Sequence, residues 1–378
     1  MADVLIFADS LRSPEMRHEV PLAVPDPFLY AEREGERHVV ASSFELGRIN
    51  EVAPGLEALP LEEFGVDELY AQGLSRDEIE LEVILRAARR FGIEQAVVPG
   101  TFPLEVADHL RANGIDIRAD REHFVRRRRV KNDAELAGIR RAQRAAEAAM
   151  DAARELLRSA ERQNGSLVVD GEPLTCERLK LAVEQAFITN GAFADEFIVS
   201  HGPQTAVGHD MGSGPIAPDE PVCLDLFPRD RESGCFTDMT RVFVVGTPSD
   251  ELQEYHRLCR EALERSVEAV KPGIAGNELY RITCEVFEEH GYPTLLSKQP
   301  GEVLQDGFYH SLGHGVGLEV HEQPNLGRGP GELVAGDVIA VEPGLYRNGF
   351  GGIRLEDLVL VTEDGAETLT EYPYDLEP

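Results

Sequence analysis

The segment HSLGHGVGLEVHE, residues 310–322, holds three of the chain's 11 histidines among glycines and small aliphatic residues. His310 and His314 stand four residues apart, the spacing that brings two zinc ligands to one face of a helix. Each glycine of this segment would cost a helix about 1 kcal/mol relative to alanine, so we expect an extended or looped segment instead. A glycine-rich turn with solvated histidines is the alternative that the segment alone leaves open.

Two aspartates occupy matching positions in a predicted β-hairpin. The β-rich runs PVCLDLF and CFTDMTRVFVV flank PRDRESG, a loop of turn formers and charged residues. The midpoint between Asp225 and Asp238 falls inside this loop, so we expect the two side chains to lie roughly opposite each other, with Cβ atoms about 4.5–5.5 Å apart. Like charges at that distance are destabilising in a sheet, and a bound cation is the simplest compensation.

The same construction recurs downstream with two glutamates. The strands predicted in DVIAVEPGLY and GGIRLEDLVLVTE flank residues 347–350, which contain the Asn-Gly turn signal. The midpoint between Glu342 and Glu356 is Gly349, within that turn. Exposed hairpin acids could explain one such pair, but two pairs and a glycine-lined histidine segment together predict a metal site.

The predicted ligands indicate which metals and which chemistry to expect. Four carboxylates match the charge of two divalent ions, and His314 completes an oxygen-rich set. Such ligands favour Mn²⁺, while Co²⁺, Fe²⁺ and Zn²⁺ stay open. Carboxylates can bridge two ions about 3.5–4 Å apart, and a water that bridges both would be acidified toward hydroxide and act as nucleophile. On this hypothesis, the glycines let the backbone pass close to the metal centre and deliver His314 to it.

The composition restricts the class of protein. A formal charge of −32 argues against nucleic acid and anionic membranes as partners. The N-terminal residues are typical of a first strand and not of a signal peptide, and no run of eighteen apolar residues predicts a membrane span. Five cysteines without a CxxC motif suit reduced thiols, so we expect a cytoplasmic protein.

The order of predicted elements divides the chain into two domains. Short strands and helices alternate over the first 120 residues, which is typical of an α/β domain. The basic cluster Arg126–Arg129 is interpreted as a solvated connector paired with nearby acids. Asn132 and Glu135 then form a capping-box start for a long helix. We place the domains at residues 1–125 and 126–378, with further helices near 175–190, 250–270 and 276–290.

From VKNDAELAGIRRA onward the motifs resemble those of the M24 metallopeptidases, whose catalytic domain has the pita-bread fold. They are LDLF, TDMTRVF, HSLGHGVGLEVHE, VEPGLY and GGIRLEDLVLV. The two-domain layout resembles that of Xaa-Pro aminopeptidases and Xaa-Pro dipeptidases (prolidases), although the similarity is weak over the first 120 residues. The resemblance implies an α+β fold, in which an N-terminal α/β domain like that of creatinase and prolidase precedes a C-terminal pita-bread catalytic domain.

The resemblance also implies site residues. Metal ligands would be Asp225, Asp238, His314, Glu342 and Glu356. Glu342 would act as general base on the bridging water, His321 would bond the scissile carbonyl and the developing gem-diolate, and His209 would contact the leaving amide or the substrate backbone. Substrate-binding residues would be His310, Arg354 and Tyr346.

The implied function is that of a two-metal exopeptidase that hydrolyses the Xaa-Pro bond of dipeptides or peptide N-termini by a metal-bridging hydroxide. The alternatives are a metal-independent, creatinase-like C–N hydrolase and a catalytically inactive pita-bread module that binds peptide or protein. The resemblance further implies a homodimer. This sequence departs from the family in the long, charged loop at 228–234 and in His201, which replaces a common serine; both departures bear on substrate access.

Overall fold

The computed structural model describes residues 2–378, and the chain divides into two compact units, Met1–Arg128 and Arg129–Pro378. Within the described residues, no helix combines the length and the apolar character that crossing a bilayer requires. The boundary between the units lies three residues beyond the one we expected.

The N-terminal unit is a six-stranded sheet with helices on both faces. Its strands have the order β4-β3-β2-β1-β5-β6, and β2 runs opposite to the other five. The strands are β1 (Val4–Ala8), β2 (Phe28–Arg33), β3 (Glu36–Ala41), β4 (Glu57–Pro60), β5 (Gln95–Val98) and β6 (Asp116–Ala119). The helices are α1 (Pro14–Glu19), α2 (Ser43–Val52), α3 (Val66–Ala71), α4 (Arg76–Arg90), α5 (Leu104–Ala112) and α6 (Arg121–Arg129), with a 3-10 helix at Leu61–Phe64.

Alternation along the strands explains why helices cover both faces of this sheet. Leu5 and Phe7 of β1 pack in one cluster with α4 and α5, whereas Val4 and Ile6 pack in another cluster with α1, α2 and α6. Successive strand residues point to opposite faces, so a continuous apolar strand needs a helix layer on each side. The alternation of short strands and helices that we expected over the first 120 residues is confirmed.

The basic cluster is a helix and not a solvated connector. It forms the last turns of α6, where Arg127 contacts Glu19 and Glu32 at 2.7 Å and the buried Arg128 contacts Glu15 at 3.3 Å. The expected pairing with acids is confirmed, but the pairs are largely covered. Matched carboxylates are what allow guanidinium groups to be buried.

The second unit carries four long helices on a set of small sheets. The helices are α7 (Asp133–Arg158), α8 (Cys176–Thr189), α9 (Asp250–Ala269) and α10 (Gly276–Glu289), with a 3-10 helix at Gly202–Ala206. Asn132 caps α7 and Glu135 completes the predicted capping box, each bond being 2.9 Å long. The helices that we expected from the sequence are therefore confirmed.

Two of the sheets supply the site described below. One has the order β11-β12-β14 and the other β16-β15-β17-β20-β21, while β18 and β19 form a separate hairpin. The strands are β7 (Glu161–Gln163), β8 (Ser166–Val169), β9 (Glu172–Pro173), β10 (Ala192–Phe193), β11 (Ile198–His201), β12 (Pro221–Leu226), β13 (Arg229–Asp230), β14 (Met239–Val244), β15 (Gly313–Gly315), β16 (Glu322–Asn325), β17 (Val338–Val341), β18 (Gly344–Arg347), β19 (Gly351–Arg354), β20 (Asp357–Val361) and β21 (Ala366–Thr368).

The strand β12 separates two apolar cores. Its residues Val222, Leu224 and Leu226 pack with α7 and α8, whereas Cys223 packs with α9 and α10. Asp225 lies two residues beyond Cys223 and therefore belongs to the same face of the strand. The acid is thus placed at the end of an otherwise apolar face.

The glycines around His314 serve strand pairing and not a close approach to a metal centre. A Cβ atom on Gly313 would lie 1.9 Å from the carbonyl oxygen of Ala340 in β17, and one on Gly315 would lie 2.3 Å from that of Gln323 in β16. The predicted extended segment is confirmed as β15, but our explanation of its glycines was wrong. Neighbouring backbone on both sides leaves no room for a side chain.

We expect Gly313→Ala to destabilise the protein, because the new methyl group must displace backbone. Overpacking of this kind typically costs about 1–3 kcal/mol. Thermal unfolding would measure it, with Gly329→Ala as the control because a Cβ atom there meets no atom within 4 Å. Equal melting temperatures for the two variants would contradict the steric explanation.

Candidate metal centre

The first acid pair lies on one face of the β12–β14 hairpin, but the predicted register was two residues off. Asp225 pairs with Thr240, and Leu226 pairs with Met239, so Asp238 lies just before β14 and diagonal to Asp225. A slip of two residues preserves the face of the sheet, whereas a slip of one would have reversed it. The two carboxylates therefore still point the same way.

The error arose in the loop between these strands, which is not a simple turn. Residues 229 and 230 form β13, which pairs with β10. Arg141 of α7 holds Asp230 with two hydrogen bonds of 2.9 and 3.0 Å, and these bonds contribute to lowering the pKa of Asp230 against the opposing effect of burial. An extra strand inside the connection moves its midpoint, and the apolar pattern alone does not predict that strand.

The register predicted for the second acid pair is confirmed. Val341 pairs with Asp357, and Gly344 pairs with Arg354. The same register, continued between these two pairs, places Glu342 opposite Glu356. The amide of Glu356 donates a 3.2 Å hydrogen bond to the carbonyl of Thr240 in the other sheet. This contact brings the two acid pairs together.

His314 lies among these carboxylates. Its Nε2 atom is 3.7 Å from Asp238 Oδ2 and 3.8 Å from Glu342 Oε1. One potential ligand atom from each of Asp238, His314 and Glu356 lies within 4.8 Å of the other two, which makes a candidate metal site. Nδ1 lies 3.1 Å from the carbonyl oxygen of Gly315, so a proton on Nδ1 leaves the Nε2 lone pair directed at the acids.

Burial keeps this imidazole in the form that binds metals. Burial, reinforced by the charge of His321 and opposed by that of Asp225, lowers the pKa of His314 to about 4. At neutral pH the ring is therefore uncharged. Metal ligation requires the neutral imidazole, so the environment of His314 suits a ligand.

The carboxylates repel one another in a buried space. Burial first, and then the charges of Glu356, Asp225 and Glu342, raise the pKa of Asp238 well above its usual range. Burial, opposed by Arg354 and reinforced by Asp225, raises the pKa of Glu342 to about 8. Within residues 2–378, no hydrogen-bond donor reaches the buried Oδ1 atom of Asp238. An unpaired buried oxygen among like charges fits a divalent cation, which would be both its partner and its counter-charge.

Arg354 and Thr240 support the acids from one side. Arg354 donates to Asp225 through Nη2 and to the Thr240 hydroxyl through Nε at 3.2 Å, and that hydroxyl donates to Glu356 at 2.7 Å. Sequence reasoning missed Thr240. The signal was available, because Thr240 follows Asp238 by two residues and so shares its face.

The predicted substrate residues form a second group beside the acids. His310 Nε2 lies 2.9 Å from the hydroxyl of Tyr346, which also accepts a bond from Arg354 at 3.4 Å. The rings of His321 and His314 meet edge to face with centroids 4.3 Å apart. His321 is exposed, whereas Tyr346 is fully buried.

His209 lies on an exposed turn near this group. The proximity of its charge contributes to lowering the pKa of both His310 and His321, although burial is the larger cause in each case. Burial lowers the pKa of His310 to about 3, so this ring is also neutral at pH 7. The structure thus brings every predicted site residue into one region, and their roles as ligands, base and substrate contacts stay predictions.

We expect Asp238→Asn to abolish metal-dependent stabilisation while the apo protein stays folded, because the amide keeps the shape and removes a repelling charge. A metal that binds only the folded state adds about 2.7 kcal/mol at one hundred times its dissociation constant. Melting curves with chelator and with Mn²⁺, together with elemental analysis, would measure the effect. Asp364→Asn, at an exposed acid, is the control. Full metal loading of Asp238→Asn would rule this aspartate out as a ligand.

Comparison with known proteins identifies the family. The profile of Metallopeptidase family M24 matches residues 137–363. The Xaa-Pro dipeptidase of Pyrococcus furiosus is 39% identical over 193 residues, which are 50% of this chain and 51% of that relative. The chain thus spans about half the length of the curated relatives that it matches in sequence.

Solved structures extend the similarity over the full chain. The prolidase of Pyrococcus furiosus aligns with a TM-score of 0.74 and 26% identity, covering 99% of this chain and 97% of that one. The X-Pro aminopeptidase of Thermotoga maritima aligns with a TM-score of 0.78 over 98% and 96% of the two chains, and at 22% identity it shows the fold alone. The predicted α+β class with a C-terminal pita-bread domain is confirmed. Since the family profile covers more than half of its length, this protein belongs to metallopeptidase family M24.

Proposed function

We propose that this protein is a two-metal exopeptidase that hydrolyses the bond between an N-terminal residue and proline. The observation that carries the proposal is the convergence of Asp238, His314 and Glu356 in a buried site, with Asp225 and Glu342 beside them. The relatives named Xaa-Pro dipeptidase and prolidase support the substrate class. All five family ligands are present, which argues against a metal-independent hydrolase and against an inactive binding module.

Asp225, Asp238, His314, Glu342 and Glu356 would hold the ions, and we propose Mn²⁺ as the metal because oxygen ligands dominate the set. Two bound divalent ions would lower the pKa of a water and polarise the scissile carbonyl. Co²⁺, Fe²⁺ and Zn²⁺ remain alternatives for the same donors. We further propose a homodimer located in the cytoplasm.

Glu342 is suited to the role of general base. Its side chain is 17% exposed, compared with 6% for that of Asp238, so it reaches the open side of the acid cluster. Its carboxylate would accept the proton of the attacking water and pass it to the leaving nitrogen.

The histidines would orient the substrate. His321, exposed and in contact with His314, would donate a hydrogen bond to the carbonyl oxygen as negative charge develops there. His209 would contact the substrate backbone, and Arg354 would hold Asp225 in place. The ring of Tyr346 packs against those of His310 and Tyr309, with the two tyrosine ring centroids 4.8 Å apart. This aromatic group would line the pocket for the proline ring. Proline lacks an N–H and has a fixed φ, so its recognition calls for a shaped apolar pocket.

The N-terminal unit would be the α/β domain of the creatinase and prolidase kind, with a domain boundary in or near α6. In this proposal, it contributes no ligand, because every proposed metal-binding and substrate-binding side chain belongs to the second unit. The metal chemistry would therefore depend on the pita-bread domain alone.

We expect Mn²⁺-loaded protein to cleave Xaa-Pro dipeptides, chelation to remove the activity, and added Mn²⁺ to restore it. Parallel assays with Xaa-Pro-Yaa peptides would separate dipeptidase from aminopeptidase specificity, and Xaa-Ala peptides would serve as the control. Turnover that persists after chelation would favour the creatinase-like alternative. Binding without turnover under every metal would favour the inactive module.

We expect His321→Ala to reduce kcat while metal content stays unchanged. Loss of one donor to a developing oxyanion typically costs about 10²–10³-fold in kcat. Steady-state kinetics and elemental analysis on the same sample would measure both quantities, with His290→Ala as the control at another exposed histidine. Unchanged kcat at full occupancy would show that His321 only fills space in the loop.

A further inference from the structure

One segment beside the site is closed by a contact that the proposed mechanism does not use. Residues 202–214, called here the His209 loop, begin after β11 with the 3-10 helix Gly202–Ala206. A β-turn follows, closed by a 2.9 Å hydrogen bond from the Asp210 amide to the Val207 carbonyl, and His209 is its third residue. The loop therefore presents His209 on an exposed turn.

His201, the last residue of β11, lies between two hydrogen-bond acceptors. Its Nδ1 atom contacts the carboxylate of Glu220, and its Nε2 atom lies 3.1 Å from the carbonyl oxygen of Ser213. A neutral imidazole has only one N–H, so only the imidazolium donates to both acceptors. The hydrogen bond to Glu220 accordingly raises the pKa of His201, and the charges of Glu220 and Glu177 act in the same direction.

The side chain of Gln204 also joins the start of the loop, at His201, to its end, at Ser213. Its amide nitrogen donates to the Ser213 carbonyl at 3.0 Å, and its amide oxygen accepts from the Ser213 and His201 amides at 3.3 Å each. Ser213 is thus held by His201 through its carbonyl and by Gln204 through both backbone groups. These bonds join the first residues of the His209 loop to its last ones.

Further contacts anchor the His209 loop on both sides of the turn. Lys180 donates to the Gly212 carbonyl at 2.8 Å, and Glu177 accepts from the Gly214 amide at 3.1 Å. Tyr309 donates to the Ala206 carbonyl at 2.6 Å. The turn that carries His209 lies between these anchors, and the bonds from His201 and Gln204 to Ser213 join the chain on its two sides.

The packing around Glu220 holds its carboxylate beside the imidazole of His201. Gly202 has a φ of +52°, and a Cβ atom there would lie 2.4 Å from a carboxylate oxygen of Glu220. The Ala217 amide donates to the same carboxylate at 2.6 Å. The carboxylate is therefore held over the start of the loop, against the ring of His201.

We propose that His201 is a positioning residue that acts through His209: bonded to Glu220 and Ser213, it closes the His209 loop and thereby sets the affinity for substrate. This inference rests on the proposed peptidase function. Without the His201 ring, Gln204 alone would join Ser213 to the start of the loop, and His209 would be presented in more orientations. Substrate binding would then carry the entropic cost of ordering the loop.

A double-mutant cycle tests the inference. We expect His201→Ala to raise KM for an Xaa-Pro dipeptide about tenfold with kcat changed less than twofold, and His201→Gln, which keeps one donor, to recover part of the loss. In the His209→Ala background, His201→Ala should have no further effect, because the residue through which it acts is gone. His38→Gln is the matched control, since His38 also pairs with a glutamate, Glu57, at 2.8 Å in the N-terminal unit. Equal effects of His201→Ala in both backgrounds would overturn the inference.

Hydrogen–deuterium exchange of the Mn²⁺-loaded protein gives a readout that does not depend on turnover. We expect faster exchange in residues 202–214 of His201→Ala than in the wild-type protein, with the rates over α7 and α9 unchanged. If His201→Ala does not fold, Glu220→Gln takes its place, because the amide oxygen still accepts from Ala217 while the charge is lost. If the wild-type protein does not cleave Xaa-Pro peptides, the proposed function fails, and exchange still tests the loop. Unchanged exchange in the loop would overturn the inference by itself.

Discussion

Mutual repulsion of carboxylates in a buried space is the constraint on which the second unit depends. Burial and neighbouring charges raise the pKa of Asp238, and a similar combination acts on Glu356. Burying such charges without a partner costs several kcal/mol each. The contacts of Arg354 and Thr240 compensate for only part of this cost, and a bound cation would supply further counter-charge.

Strand β14 supplies contacts on both of its faces that stabilise the acid cluster. Thr240 faces the acids, with its carbonyl and hydroxyl both bonded to Glu356. Arg241, the next residue, faces the other way and is fully buried, where it binds Asp357 at 2.9 Å and the carbonyls of residues 372 and 373. Alternation along one strand therefore serves two purposes: one face completes the site, and the other locks the two sheets together behind it.

Neutral histidines make the site compatible with metal and with substrate at the same time. Burial lowers the pKa of His314 to about 4 and that of His310 to about 3. Neither ring adds positive charge that would repel a divalent ion, and each still offers one donor and one acceptor. His201 contrasts with both, because its partners are acceptors on each side and favour the charged ring. The same residue type thus serves different purposes according to the groups around it.

The sequence by itself determined the residue types of the site, the second hairpin and most helices. Asp225, Asp238, Glu342 and Glu356 stand out because acids are poor strand residues, and the Asn-Gly turn sets the register of Glu342 and Glu356 locally. The helices follow from caps and apolar periodicity, which are also local signals. Only the tertiary structure decided how the two acid pairs meet, since the bond from Glu356 to Thr240 joins residues 116 positions apart. It also decided the register around β13, the reason for the glycines beside His314 and the closure of the His209 loop. Each of these depends on contacts with backbone from another strand or loop. Contacts between residues distant in sequence produce no periodic pattern from which they could be predicted.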